Sequence, residues 1–99
     1  MIYVIATTPV KPECREDFIK GHKACIVETL KEKGCLSYEG HVSVNDPNLY
    51  VVVERWENRE DLNAHGRAPH IKAWREYSRP LRAAPTVLEI ISDGKVEKF

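Results

Sequence analysis

Residues 2–10, Ile2 to Val10, form an apolar, β-branched run with enough alternation to predict a first strand. The period then changes. Lys11-Pro12-Glu13 opens a helix, because the proline ring presets φ for a first helical position. Cys14, Phe18, His22, Cys25, Ile26, Thr29 and Leu30 follow at helical spacing, with lysines and glutamates on the opposite side. Gly34 is expected to stop this helix as the residue just past its C-terminus. Residues 35–44 alternate like a second strand, and Asn45-Asp46-Pro47-Asn48 supplies a turn. A third strand, Leu49 to Trp56, completes a hairpin over residues 35–57. Asn58 caps the next helix, with Asp61 three residues on as its partner. That helix is expected to break near Gly66, restart at Pro69 and run to about Arg82. Pro85 to Ser92 is the last strand, followed by an Asp93-Gly94 turn and a short polar tail.

The order β-α-β-β-α-β predicts an α+β, ferredoxin-like fold: an antiparallel sheet with two helices on one face. The sheet's other face then needs cover. The third strand is apolar on both sides, with Val51 and Val53 on one and Tyr50 and Val52 on the other. The last strand sets Val87, Glu89 and Ile91 against Leu88 and Ile90. A homodimer packed sheet to sheet is the expected solution.

Composition narrows this picture. The chain has 99 residues, which fits a single domain over 1–99. Fifteen basic residues balance fifteen acidic ones, so charge gives no reason to expect nucleic acid or an anionic membrane as partner. The apolar start is short and reads as a strand, not as a signal or a membrane span. Three cysteines without CxxC spacing argue against a disulfide framework and for a reducing, cytoplasmic setting.

The candidate chemistry is concentrated between Glu54 and Trp74. Glu54 and Trp56 lie two apart on a strand and so share a face. His70, Trp74, Tyr77 and Leu81 share a helical face, His65 lies on the preceding segment, and His22 sits on the apolar stripe of the first helix. If both helices cover one sheet face, these side chains line a mostly aromatic pocket with a few polar groups, the usual make-up of a small-molecule site. The bland alternatives are concrete. Trp56 and Trp74 each fit a core, His22 fits a satisfied core histidine, His65 fits an exposed helix end, and Glu54 fits an ion pair with an arginine such as Arg75. Arg59, Glu60 and Arg67 read as solvated surface. A site of two histidines and a carboxylate for iron is disfavoured by the five-residue spacing of His65 and His70, unless the break near Gly66 brings them together. No phosphate-cradling glycine loop, nucleophile elbow or dinucleotide fingerprint is present.

The stretch from "ERWEN" through "LNAH" to "PHIKAW" resembles the antibiotic biosynthesis monooxygenase family, and in particular its small bacterial quinol monooxygenases. "KPECREDFIKGH" and "LKEKGCLSYEGHVSVNDPNLYVVVERW" extend the likeness over nearly the whole chain. The resemblance implies a ferredoxin-like fold that dimerises into an α/β barrel, with a pocket in each subunit between sheet and helices. It implies oxidation of quinols or phenols by molecular oxygen, without metal, flavin or other cofactor. In that chemistry a base deprotonates an electron-rich phenol, the anion passes an electron to oxygen, and the radicals recombine. The implied catalytic residues are His65 or His70 as base and Glu54 as orienting group. Trp56, Trp74, Tyr77 and His22 would hold the substrate. Another branch of the family isomerises a phosphorylated autoinducer sugar, for which Arg67 and Arg75 are the available phosphate ligands. A third branch degrades haem, but Arg75 lies in the region where it places its ligand histidine. A dimeric ligand-binding module without catalysis is the non-enzymatic alternative.

Overall fold

The computed structural model describes residues 1–92 and 94–98. Its elements are β1 (Ile2–Pro9), a 3-10 turn (Pro12–Cys14), α1 (Arg15–Thr29), β2 (Cys35–Val42) and β3 (Leu49–Trp56). They continue with α2 (Arg59–Gly66), α3 (Pro69–Ser78), a second 3-10 turn (Arg79–Leu81) and β4 (Val87–Ile91). The four strands pair antiparallel in the order β2-β3-β1-β4, which is the expected ferredoxin-like arrangement.

Strand alternation decides which face meets the helices. Ile2, Val4, Ala6 and Thr8 are buried along β1, and Tyr50, Val52, Glu54 and Trp56 along β3. The register sets Ile2 opposite Trp56 and Val4 opposite Glu54. Phe18 from α1 and Leu62 from α2 join the same core. On α1 the buried side is Phe18, His22, Cys25 and Thr29, as the helical spacing requires. The opposite sheet face carries Tyr3, Ile5, Val51 and Val53 half-buried, with Val87 and Ile91 exposed. Among the described residues, no helix is long and apolar enough to cross a membrane.

Several boundaries depart from expectation. α1 ends at Thr29, and the chain tightens into short turns in which Lys31 N–H reaches Glu28 O and Glu32 N–H reaches Thr29 O. Leu30 is thereby turned out and 54% exposed. Gly34 is accordingly not the helix cap. Its φ of +81° instead shapes the entry to β2 and lets its carbonyl accept Glu57 N–H at 2.8 Å. β2 stops at Val42, leaving Val44 fully exposed. The break between α2 and α3 falls where expected, and Asn58 Oδ1 caps α2 by accepting Asp61 N–H at 2.9 Å. α3 ends at Ser78 rather than near Arg82, because Pro80 has no N–H with which to continue it. β4 is shorter than Pro85 to Ser92 by two residues at its start and one at its end. The expected turn at Asp93 lies outside the described residues.

A methyl group on Gly34 would collide with the Asp61 carboxylate as well as meeting the left-handed backbone penalty. Gly34→Ala is expected to lose about 2 kcal/mol or more of unfolding free energy. Urea denaturation checks this, and an unchanged midpoint would contradict it.

Candidate active site

A cavity of about 660 Å³ lies between the sheet and the α2–α3 pair. Val4, Ala6 and Val52 floor it, Tyr38 and Glu54 add polar groups, and Leu62, Ile71 and Trp74 close it from the helices. That size and apolar character suit a small organic molecule.

Glu54 is 4% exposed, with Val4 opposite it on one side and Tyr38 on the other. Its Oε1 accepts the Trp56 indole N–H at 2.9 Å. Among the described residues it has no cationic partner, so the arginine pairing considered from sequence is absent. Burial pushes its carboxyl up to about 7, against the opposing pull of the Trp56 hydrogen bond and with a smaller push from Glu32. Trp56 itself is fully buried.

His65 is carried on the last turn of α2, and His70 on the first turn of α3. The intervening break brings both to Glu32, from the turn after α1. His65 Nδ1 lies 2.7 Å and His70 Nε2 2.8 Å from the same Glu32 oxygen. A carboxylate oxygen accepts, so both ring nitrogens donate. In neutral His65 the remaining nitrogen, Nε2, is then the basic one, on a side chain that lines the cavity. The ring packs against Trp56 at 4.7 Å and Tyr38 at 5.4 Å between centroids. Burial lowers the His65 pKa and outweighs the opposing effect of Glu32, while His70 and Arg75 lower it further.

The ligand atoms of Glu32, His65 and His70 all lie within 4.8 Å of one another. Two imidazoles and a carboxylate suit a divalent transition metal. As arranged, the trio is joined by its own hydrogen bonds, and an ion would have to displace both shared protons. The five-residue spacing is thus no obstacle to convergence, and the carboxylate involved is Glu32 rather than Glu54.

The other expected site residues separate by position. Trp74 lines the cavity. His22 is fully buried behind it, with its ring 5.0 Å from Trp74 and its Nδ1 2.7 Å from the Tyr50 hydroxyl. Burial pushes its pKa down to about 4, so it is neutral at ordinary pH, and its Nε2 has no partner among the described residues. Gly40 makes room for this pair, since a side chain there would strike Tyr50 Oη and come within 2.9 Å of His22 Nδ1. Tyr77 lies outside the cavity, 45% exposed, and its hydroxyl donates to Asp17 O. Cys25 and Cys35 have thiols pushed up by burial, Cys35 to about 11. All three cysteines are free.

Sequence reasoning did not single out Glu32, Tyr38, Arg79 or Arg82, and it named Arg67 and Arg75 only as phosphate ligands or, for Arg75, as a partner for Glu54. Tyr38 could have been found from strand alternation, because it faces Glu54 across β2 and β3. Its phenol pKa is raised by burial and then by Glu54, so it keeps its proton. Glu32 gives no such signal in the polar run "KEKG". Arg67, read from sequence as solvated, is exposed yet contributes to the cavity wall.

Glu54 binds its proton more tightly in the folded chain than in the unfolded one. Its stabilising contribution is therefore complete below pH 4.5 and lost as pH rises through about 7. Relative to Glu54→Gln, the wild type is expected to lose on the order of 3 kcal/mol of unfolding free energy across that window. Denaturation curves at several pH values measure the difference, and a constant offset between the two proteins would contradict it.

Comparison with known proteins matches these features to one family. The family described as antibiotic biosynthesis monooxygenase matches residues 1–77. The Synechocystis protein sll1783 is 32% identical over 89 residues, covering 90% of this chain, which spans 60% of that relative's length. The Escherichia coli K12 protein named "Probable quinol monooxygenase YgiN" is 34% identical over 86 residues, 77% of this chain and 83% of its own. The solved structure of Rv0793 from Mycobacterium tuberculosis superposes with a TM-score of 0.90 at 26% identity, over 98% of each chain. The chain belongs to the antibiotic biosynthesis monooxygenase family.

Proposed function

We propose that the cavity binds an electron-rich phenol or quinol and that the protein oxidises it with molecular oxygen, without a cofactor. The observation that carries this reading is the Glu32–His65 pair: a buried histidine on the cavity wall, oriented by a carboxylate, with its second nitrogen left basic. The family and the name of its Escherichia coli relative support the same class of reaction. His65 Nε2 takes the phenolic proton. The phenolate passes one electron to oxygen, and the phenoxyl radical and superoxide combine to form a carbon–oxygen bond. The peroxide anion takes the proton back from His65, and loss of water from the hydroperoxide together with the ring C–H leaves a quinone, with one oxygen atom in the product and the other in water.

The remaining residues take supporting roles. Glu54, its carboxyl pushed up to about 7 by burial, can donate to or accept from a substrate oxygen. Trp74 stacks on the ring, and Tyr38 and Trp56 keep water from His65. His70 fixes Glu32 from the other side. His22 supports Trp74 from behind, and Tyr77 braces α3 against α1.

Oxygen uptake with reduced menadione tests this. His65→Ala is expected to slow turnover by about a hundredfold or more, and His70→Ala by less. The wild-type rate should fall on the acid side of a pKa below the ordinary histidine value of 6.5. Equal rates in all three proteins would reject the assignment. Turnover of a phosphorylated ketose without oxygen uptake would favour an isomerase, and saturable quinol binding without product a binding module.

We further propose that two copies pack through the sheet face bearing Tyr3, Ile5, Val51, Val53, Val87 and Ile91, whose half-buried and exposed apolar side chains favour burial. Light scattering should then report a dimer at micromolar concentration, and Val53→Asp should shift it toward monomer. A stable wild-type monomer would overturn the packing.

A further inference from the structure

The cavity has an asymmetric charge. Its inner wall is apolar and holds one carboxyl group, that of Glu54. Arg67, Arg75, Arg79 and Arg82 also line it. The end of α3 and the turn after it carry Arg75, Arg79 and Arg82, and all three border the cavity. Among the described residues none of the four forms an ion pair with a carboxylate. Two are held by backbone instead: Arg75 Nη1 donates to Gly66 O at 3.1 Å, and Arg82 Nη2 donates to Arg75 O at 3.0 Å and to Ser78 Oγ at 3.2 Å. Arg82 Nε is buried and has no partner among the described residues.

Arg67, Arg75 and Arg79 are exposed and Arg82 is half-buried, so several cations stand together at the mouth of a partly apolar concave surface, which favours an anion there. Arg82 registers this, because burial and then Arg79 and Arg75 lower its pKa. Guanidinium groups offer planar pairs of N–H donors, the geometry that matches a carboxylate. An apolar interior with a cationic rim matches a molecule with an aromatic body and an anionic group at one end.

We propose that the natural ligand of this cavity is an anionic aromatic, whose carboxylate is received by Arg75, Arg79 and Arg82 while its ring lies against Trp74. The proposal rests on the reading of the cavity as the substrate site and names the class of substrate. The anionic end fixes which ring position faces His65, so the arginines act as positioning and specificity residues and take no part in proton transfer.

Calorimetric titration with 2-naphthoate and its neutral isostere 2-naphthamide separates charge from shape and needs no turnover. The wild type is expected to bind the carboxylate about tenfold or more tighter than the amide, since hydrogen bonds to charged groups are the stronger class. That preference should shrink as salt is raised. The double variant Arg75→Gln, Arg79→Gln should bring naphthoate down toward the affinity of the amide, with a much smaller loss for the amide itself. Lys20→Gln, which removes a positive charge outside the cavity, should keep the preference. Equal binding of the two ligands by the wild type would overturn the proposal and leave the phenol-oxidising reading standing. A preference that survives the double variant, or is lost equally in Lys20→Gln, would overturn it as well. Failure of both ligands to bind would reject the cavity as an aromatic site, and both readings with it.

Discussion

A single carboxylate oxygen, on Glu32, holds the site together. It receives a ring nitrogen from each of two helices, at 2.7 Å from His65 and 2.8 Å from His70. The turn leaving α1 meets there two elements more than thirty residues further on, the last turn of α2 and the first turn of α3. Without the break at Gly66 and Pro69, two histidines five apart on one helix would diverge, and no single acceptor could serve both. Without the early end of α1, Glu32 would remain on a helix instead of in the turn that presents it. The interaction is part-buried, where a charge-assisted hydrogen bond is stronger and an unpaired carboxylate more costly than in water. Orientation of His65 is therefore a consequence of how the chain is routed.

Burial sets the chemistry of what that routing brings together. Glu54, His22, His65 and Tyr38 are all shifted toward their neutral forms, and desolvation is the largest cause in each case. Wall groups held toward their neutral forms beside one oriented histidine suit removal of a proton from a weakly acidic ligand. The arginines at the rim are the exception, and they lie toward the end of α3, where a ligand's own charge could meet them.

Much of this architecture is legible in the sequence. Alternation in β1 and β3 identifies the buried face, and the resemblance of the Glu54–Trp74 stretch points to the family. Of the pocket wall expected from spacing, Glu54, His65 and Trp74 line the cavity, whereas Trp56, His70, Tyr77 and His22 are not among its lining residues. What could not be read was partnership across the chain. Glu32 is one glutamate among several in a polar turn, and only the folded route brings it to residues 33 and 38 positions away. Arg67 and the arginines after Trp74 carry the pattern of a solvated helix face, and periodicity cannot tell a wetted surface from the rim of a cavity. Gly34 illustrates the same limit. Its left-handed backbone is anticipated correctly in kind, but it serves the entry to β2 rather than the end of α1.

The most direct test of the site's central feature is the protonation state of the His65 ring, read by nitrogen-15 NMR of the imidazole at neutral pH. If Glu32 orients His65 as a base, Nδ1 carries the proton and Nε2 is unprotonated, and Glu32→Gln disturbs that preference. A His65 protonated at Nε2, or on both nitrogens, would contradict the assignment of this residue as the base.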